Sequence, residues 1–375
     1  MSGMRQDYDV FIGSITEDIH WQDEVYESSG KGIHWFSIDS LSGHLTLQRM
    51  IWAGKNPTYM VRDRSGDYLY VANELQEFEH EATGCVSSFR INQEEKMLEL
   101  VNQKATEGTD PNYLSLDKAE SHLYVTNFTS GSVAVFPIGR GGELGKMQQF
   151  IRHQGSGKNP IRQSSAHPHS LIMSPDGRFA VVPDLGTDQI VVYRLDDADG
   201  GLGQGALQRE QTDSGSGPRH GVFHPNGCFF YVTLELNSEV AAYEFDLKTG
   251  LLVWKQTISS SVADQAEMNT SADIAVRPDG KYLYVSNRGH GNIVVYRIDQ
   301  EEGTLKFAGK ATSGGEKPRS IAMTPDGRFL LAANQDNGIV TVFHVDEECG
   351  TLEQTEQVQV PSAAGIKIYQ GGANA

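Results

Sequence analysis

One pattern returns along the whole chain and constrains the fold more than any other feature. Lys317–Asp346 reads KPRSIAMTPDGRFLLAANQDNGIVTVFHVD, and Ser271–Asp299 reads SADIAVRPDGKYLYVSNRGHGNIVVYRID. Pro218–Asp246 and Pro168–Asp196 repeat the same order of features, Pro111–Gly139 and Pro57–Asn92 do so more weakly, and Asp9–Asp39 keeps only the later part. The units end at 39, 92, 139, 196, 246, 299 and 346, on average about 51 residues apart. Self-similarity at such a period marks stacked copies of one supersecondary unit. Within a unit, an apolar run meets a Pro-Asp-Gly turn (Pro175, Pro278 and Pro325 open three of them) and a second apolar run follows. Proline presets φ and glycine accepts a positive φ, which is hairpin chemistry. A third alternating run leads to Gly-x-Leu, as at Gly250, Gly303 and Gly350, and a fourth short run closes the unit. Four antiparallel strands repeated in this way make a propeller blade. Seven copies predict an all-β, seven-bladed β-propeller, with residues 1–375 forming a single domain. The first unit lacks two strands. Residues 358–369 and the run Tyr8–Gly13 are expected to supply them, so that the termini share a blade and no sheet edge is left open.

Composition narrows the partners. Thirty-one basic against 49 acidic residues give a formal charge of −18, which argues against a nucleic-acid partner. No stretch approaches the ~20 apolar residues of a membrane span. Cys85, Cys228 and Cys349 are far apart and form no metal spacing. The polar first residues carry no export signal, so a cytoplasmic location is expected. No cofactor or metal is implied. A zinc site on His167, His169, His220 and His224 lacks a completing cysteine or carboxylate, and a calcium cage built on Asp184, Asp273 and the strand-end asparagines is not required.

Blade geometry converts the repeat into a site. The start of the first strand and the end of the second lie on one rim of the central channel. The first slot holds Thr58-Tyr59, Asn112-Tyr113, His169-Ser170, Arg219-His220, Ala272-Asp273 and Arg319-Ser320. The second holds Asn73-Glu74, Asn127-Phe128, Asp184-Leu185, Glu235, Asn287-Arg288 and Asn334-Gln335. Asparagine and aspartate at strand ends commonly close loops. His169, Arg219, Glu235 and Arg288 instead depart from their equivalents in the other blades, which a purely architectural role would not do. Ionisable groups converging on one channel mouth are expected for a ligand site. The opposite rim, with its Pro-Asp-Gly turns, reads as structural.

At these residues the chain resembles a known family. GPRHGVFHPNG (Gly217–Gly227) followed by LELNSEV (Leu234–Val240), HPHSLIMSPDGRF with VPDLGTDQI (167–190), and SADIAVRPDGKYLYVSNR (271–288) are similar to the seven-bladed lactonase family. That family includes propeller-type 6-phosphogluconolactonases and carboxy-cis,cis-muconate cyclases. The resemblance implies a lactonase acting on an anionic sugar lactone, foremost 6-phosphogluconolactone. Lactonization of a carboxymuconate and non-catalytic binding are the alternatives. It places catalytic roles on His169, Arg219, Glu235 and Arg288, and His167, His220, Asn237, Asp273 and Arg319 are the candidate substrate contacts beside them. Glu235 or His169 would take the proton of the attacking water. The arginines would hold the oxyanion and the substrate's own anion. The acidic insertion ELQEFEHEATG (74–84) is expected to shape the mouth.

Overall fold

The computed structural model describes residues 7–21, 24–196, 199–261 and 268–371. Within them the strands form seven four-stranded antiparallel sheets and one two-stranded hairpin. We number the sheets as blades in ring order. Blade 1 runs, from the channel outward, Ala363–Gln370, Asp7–Ser14, Ile33–Asp39 and Leu45–Ile51. The inner strands of blades 2–7 are Pro57–Arg62, Pro111–Leu116, Ile172–Met173, Pro218–Phe223, Ser271–Val276 and Pro318–Met323. Their second strands are Tyr68–Asn73, His122–Asn127, Phe179–Asp184, Phe229–Leu234, Tyr282–Asn287 and Phe329–Asn334.

Blades stack face to face, so a middle strand is covered on both sides. That is why FFYVTL, YLYVSN and FLLAAN are apolar at most positions and buried at all six. An outer strand has one wet face and alternates, as Leu352–Gln359 does. Each of the seven interfaces between neighbouring blades holds its own apolar cluster. Between blades 5 and 6, Phe229, Tyr231 and Val240 pack on Leu283, Val285 and Val294. The Gly-x-Leu mark belongs to this packing. Gly303 has φ 70°, and a Cβ there would stand 2.3 Å from the Phe229 ring of the preceding blade. A side chain would therefore force the blades apart, while the bare Gly303 carbonyl accepts a bond of 2.9 Å from the Tyr231 hydroxyl.

The termini close the ring as the repeats predict. Ala363–Gln370 pairs with Asp7–Ser14, from Tyr8↔Gln370 to Ser14↔Ala363, and Asp7–Ser14 pairs in turn with Ile33–Asp39. The closing strand begins later than residue 358, because Val358 is still paired with Val340 in the outer strand of blade 7. The cluster of Tyr8, Val10 and Ile12 against Phe329, Leu331 and Ala333 seals this last interface. One element has no counterpart in the repeat. A hairpin, Ile19–Trp21 with Glu24–Tyr26, rises between the second and third strands of blade 1. Its Tyr26 hydroxyl donates to the Gln335 carbonyl on blade 7.

Candidate active site

The inner strands bend where they reach the channel mouth. In blades 2, 3 and 7 the register shifts between Pro57 and Tyr59, Pro111 and Tyr113, and Pro318 and Ser320. In blades 5 and 6 it shifts between Pro218 and Gly221 and between Ser271 and Ile274. Each shift inserts one extra residue, a β-bulge that re-aims side chains. Blade 4 departs further: only Ile172–Met173 remains laddered, and His169 donates its N–H to the Pro183 carbonyl. The side chains at these unpaired positions are Asn112, His169, Arg219, His220, Asp273 and Arg319.

Glu235 follows the second strand of blade 5 and is 1% exposed. Three guanidinium groups surround it. Arg162 Nη2 donates to Oε1 at 2.6 Å, Arg288 Nη2 lies 2.8 Å from Oε2, and Arg219 Nε lies 2.9 Å from the same oxygen. The last two contacts are off the line of a hydrogen bond, so Oε2 is buried and held by charge alone. Burial alone would raise the Glu235 carboxyl, but Arg288, Arg162 and Arg219 outweigh it and hold the pKa far below the carboxylate range. Arg219 is itself buried and donates Nη1 to the Ala272 carbonyl at 2.9 Å. Burial and Arg288 lower its pKa while Glu235 supports it, and a guanidinium remains charged at neutral pH. Arg288 and Arg162 are the more open pair, at 19% and 27%. Arg319, 20% exposed, is held by Glu74 at 3.0 Å and by Gln335 at 3.3 Å.

Beside this cluster two histidines meet edge to face, with ring centroids 5.1 Å apart. Their partners settle their tautomers. Asn112 Nδ2 donates both to the His169 carbonyl and to His169 Nδ1, each at 2.9 Å. The carbonyl fixes which way the amide points, so His169 Nδ1 accepts and Nε2 carries the proton. Burial, then Arg219 and His220, push the His169 pKa well down, and the ring is neutral. His220 is the opposite case. Its Nδ1 is 2.8 Å from Asp273 Oδ1 and must donate, which leaves Nε2 with a free lone pair. Asp273 is an anchored carboxylate, taking the Ile274 N–H, the Ile321 N–H and the Ser320 hydroxyl. Burial would raise Asp273, but His220, the charge of Lys367 and the Ile321 N–H hold it low. Burial first, and then Arg219, bring His220 down to about 4.

Of the expected residues, His169, Arg219, Glu235, Arg288, His220 and Asp273 thus form one contiguous group. Arg319 lies on its edge, its charge felt by both Arg219 and Arg288. His167 stands behind it. Its Nδ1 donates to the Phe128 carbonyl at 2.8 Å, and its ring stacks on Phe128, which in turn meets His169 edge-on. Asn237 is not brought in. It is exposed in the turn after Glu235 and donates to Glu239 at 3.4 Å. Asp184 and the asparagines prove architectural. Asp184 accepts the N–H groups of His167, Gly186 and Thr187 and pairs with buried His153. Asn73, Asn287 and Asn334 donate to the loop that enters their own blade. Residue patterns missed Arg162, which sits in the long loop between blades 3 and 4, and they missed the locked state of Glu235. Among the described residues no three His, Cys, Asp or Glu side chains gather around a metal-sized space. His224 lies at the other rim, bonded to the Gly280 carbonyl.

The fold and this mouth define a β-propeller that gathers guanidinium groups, a buried carboxylate and an Asp–His pair around one end of its channel. Comparison with known proteins gives the family. Residues 9–368 match the family described as "Lactonase, 7-bladed beta-propeller", and the chain belongs to it. A 6-phosphogluconolactonase of Formosa agariphila is 33% identical over 83% of this chain and 85% of its own length. A 6-phosphogluconolactonase of Bacillus subtilis is 29% identical over 82% and 85%. Among solved structures, the periplasmic gluconolactonase of Pseudomonas aeruginosa superposes with a TM-score of 0.89 at 31% identity, covering 98% of this chain and all of that one.

Proposed function

We propose that the protein hydrolyses an anionic sugar lactone, 6-phosphogluconolactone foremost, at this mouth. The observation that carries the reading is the concentration of positive charge there. Arg162, Arg219, Arg288 and Arg319 surround two carboxylates, Glu235 and Glu74, within a chain of net charge −18. Such a local field selects anions and steers them in. The relatives named 6-phosphogluconolactonase support the same substrate class.

The roles follow from the hydrogen bonds. His220, oriented by Asp273, accepts a proton from water at Nε2 as the water oxygen attacks the lactone carbonyl. The carbonyl electrons move to the oxygen, where Arg288 and the Nε2–H of His169 stabilise the negative charge. Collapse breaks the ring C–O bond, and the leaving alkoxide takes the proton back from His220. Water is consumed, and the product is the open hydroxy acid. Glu235 is too acidic to serve as the base. It fixes three guanidinium groups from a buried position. Buried Arg219 positions Glu235 and tunes both histidines. Arg162, Arg288 and Arg319 take the substrate's own anion, since Arg presents a fork suited to phosphate or carboxylate.

A panel containing 6-phosphogluconolactone, uncharged gluconolactone and carboxymuconate tests the reading. Turnover should be highest on the phosphorylated lactone, and turnover of carboxymuconate alone would overturn it. We further propose that residues 1–375 act as one domain, which should melt in a single transition. We place the protein in the cytoplasm, because Cys85, Cys228 and Cys349 are unpaired and the last two are exposed. Recovery of the protein from a periplasmic extract would contradict that placement. Among the described residues no helix is long and apolar enough to cross a membrane.

A further inference from the structure

The other end of the channel is more than a ring of turns. A cavity of about 580 Å³ opens there between the inner strands of blades 1–3 and the first turn of blade 4. Tyr59 and Tyr113 line it, their rings stacked with centroids 4.2 Å apart, and Tyr113 meets His220 edge-on at 5.3 Å on the far side. The tyrosine pair therefore separates this cavity from the lactone mouth.

Two cations border the cavity, each with its carboxylate partner shared or at a distance. Lys367 reaches in from the closing strand. Its Nζ lies 2.6 Å from the Tyr59 hydroxyl and 4.1 Å from the centre of that ring, and among the described residues no carboxylate pairs with it. Burial lowers its pKa, and the more distant Asp273 charge opposes that fall. A half-buried ammonium with no carboxylate in direct contact retains the capacity to bind an anion, and such groups cluster at binding sites. Arg62, with only 8% of its side chain exposed, lies 4.6 Å over the Tyr369 ring. It gives Nη2 to the Gln370 carbonyl, its Nε is buried with no partner, and Asp9, at 3.6 Å, is shared with Trp35, Gln93 and Lys96. Lys367 and Tyr369 are two residues apart on one strand and so share a face. The carboxylates that line the cavity are already engaged: Asp117 holds Ser121 and His122, and Glu120 holds Arg64.

We propose that this cavity is a second binding site, distinct from the lactone mouth, for a small aromatic carboxylate. Its carboxylate would lie between Lys367 and Arg62, and its ring against the tyrosines. The commitment to an aromatic body rests on Tyr59, Tyr113 and Tyr369, which give a flat surface that a bare anion would not use. Calorimetric titration of the full chain with benzoate, and separately with inorganic phosphate, tests it. Benzoate should bind more tightly than phosphate. Its affinity should fall at least about tenfold in Lys367→Met and in Arg62→Met and should stay unchanged in Arg288→Met. Equal benzoate affinity in the unaltered protein and Lys367→Met would overturn the proposal. So would loss of benzoate binding in Arg288→Met alone, or phosphate binding as well as benzoate. Should either cavity variant fail to melt like the parent, crystals of the unaltered protein soaked in benzoate decide the matter. Density over the Tyr59–Tyr113 pair supports the site, and density only at the lactone mouth refutes it.

Discussion

Blades 5 and 7 share one hairpin plan but treat the same ladder position differently. In blade 7 the inner strand closes up quickly, and Ser320 pairs with Ala333. In blade 5 the equivalent pair, His220 and Thr233, is pulled apart. The ladder resumes only at Gly221↔Val232, and the His220 N–H donates to the Thr233 hydroxyl at 3.1 Å. Blade 6 repeats the device, with the Asp273 N–H on the Ser286 hydroxyl at 3.0 Å. Blade 2 matches blade 7, pairing Tyr59 with Ala72. A hydroxyl thus stands in for a ladder bond only where a blade must present an ionisable side chain at this slot. The lesson is that a propeller need not alter its blade to build a site. It opens one rung and satisfies the freed N–H from the neighbouring strand, so that no buried donor is left unpaired.

The largest effect should come from the side chain that the opened rung presents. His220→Asn keeps a polar group of similar size beside Asp273 but removes the free Nε2. We expect turnover to fall about 10²–10⁴-fold, the usual contribution of a general base, with the melting temperature little changed. The same substitution idea applied to the closed rung of blade 2, Tyr59→Phe, should leave lactone turnover within a few-fold, and comparable losses in both would erase the distinction. The pH profile sharpens it. His220 is held at about 4, below its ordinary 6.5, first by burial and then by Arg219. Only the neutral ring is a base, so kcat/KM on uncharged gluconolactone should be flat through pH 6.5 and fall as the pH drops through about 4. The stability sign agrees. Between 6.5 and 4 the unfolded chain takes up a proton that native His220 refuses, so acidification across that window destabilises the fold. An acid limb near 6.5 would remove His220 from the role.

The next effect separates binding of the anion from the chemistry. Arg288→Met removes one oxyanion donor and one substrate-facing cation while leaving Arg162 and Arg219 on Glu235. A drop of about 10²–10³ in kcat/KM on 6-phosphogluconolactone is expected, with a smaller loss on gluconolactone. Equal losses on the two would mean that Arg288 does not read the phosphate. Against this stands a residue at the same rim with only an architectural task. Asn334 donates to the Ser313 and Ile339 carbonyls, so Asn334→Ala should cost about 1–3 kcal/mol of stability and leave kcat intact below the melting range.

How far the sequence foretold this can be seen in the same residues. The repeat carries its own alignment, so the slot occupied by Arg219 and His220, and the one occupied by Glu235 and Arg288, could be read with no coordinates. The closing of the ring was legible for the same reason, since an incomplete first unit demands strands from elsewhere. What stayed hidden depends on contacts between blades. Nothing in a linear pattern says that Asp273 reaches His220 one blade away, or that Asn112 dictates the tautomer of His169. Expectation gave the base to Glu235 or His169, whereas our proposal gives it to His220, whose bond to Asp273 crosses between blades. Arg162 lies in a loop outside the repeat, and Lys367 on the closing strand, so neither had an equivalent against which to stand out. The hairpin at Ile19–Trp21 and Glu24–Tyr26 was missed on the same ground.

The smallest predicted effect tests the opened rung itself. Thr233 stands where blades 2 and 7 carry Ala72 and Ala333, and blade 3 has Thr126 there in a closed rung, so its meaning needs the bulge. Thr233→Val conserves shape and removes the acceptor for the His220 N–H. Two outcomes are then open to that N–H. It can stay unpaired, at a cost of about 1–3 kcal/mol in stability, or the strand can close and pair as in blade 7, dragging the imidazole along the channel. Either way Asp273 remains, so the base keeps its identity and loses only its placement. We expect kcat to fall about tenfold or less, with KM and the acid limb near pH 4 nearly unchanged, because charge and burial around His220 persist. A shift of that limb, with kcat intact, would show that Thr233 governs the electrostatics of the ring and not its position.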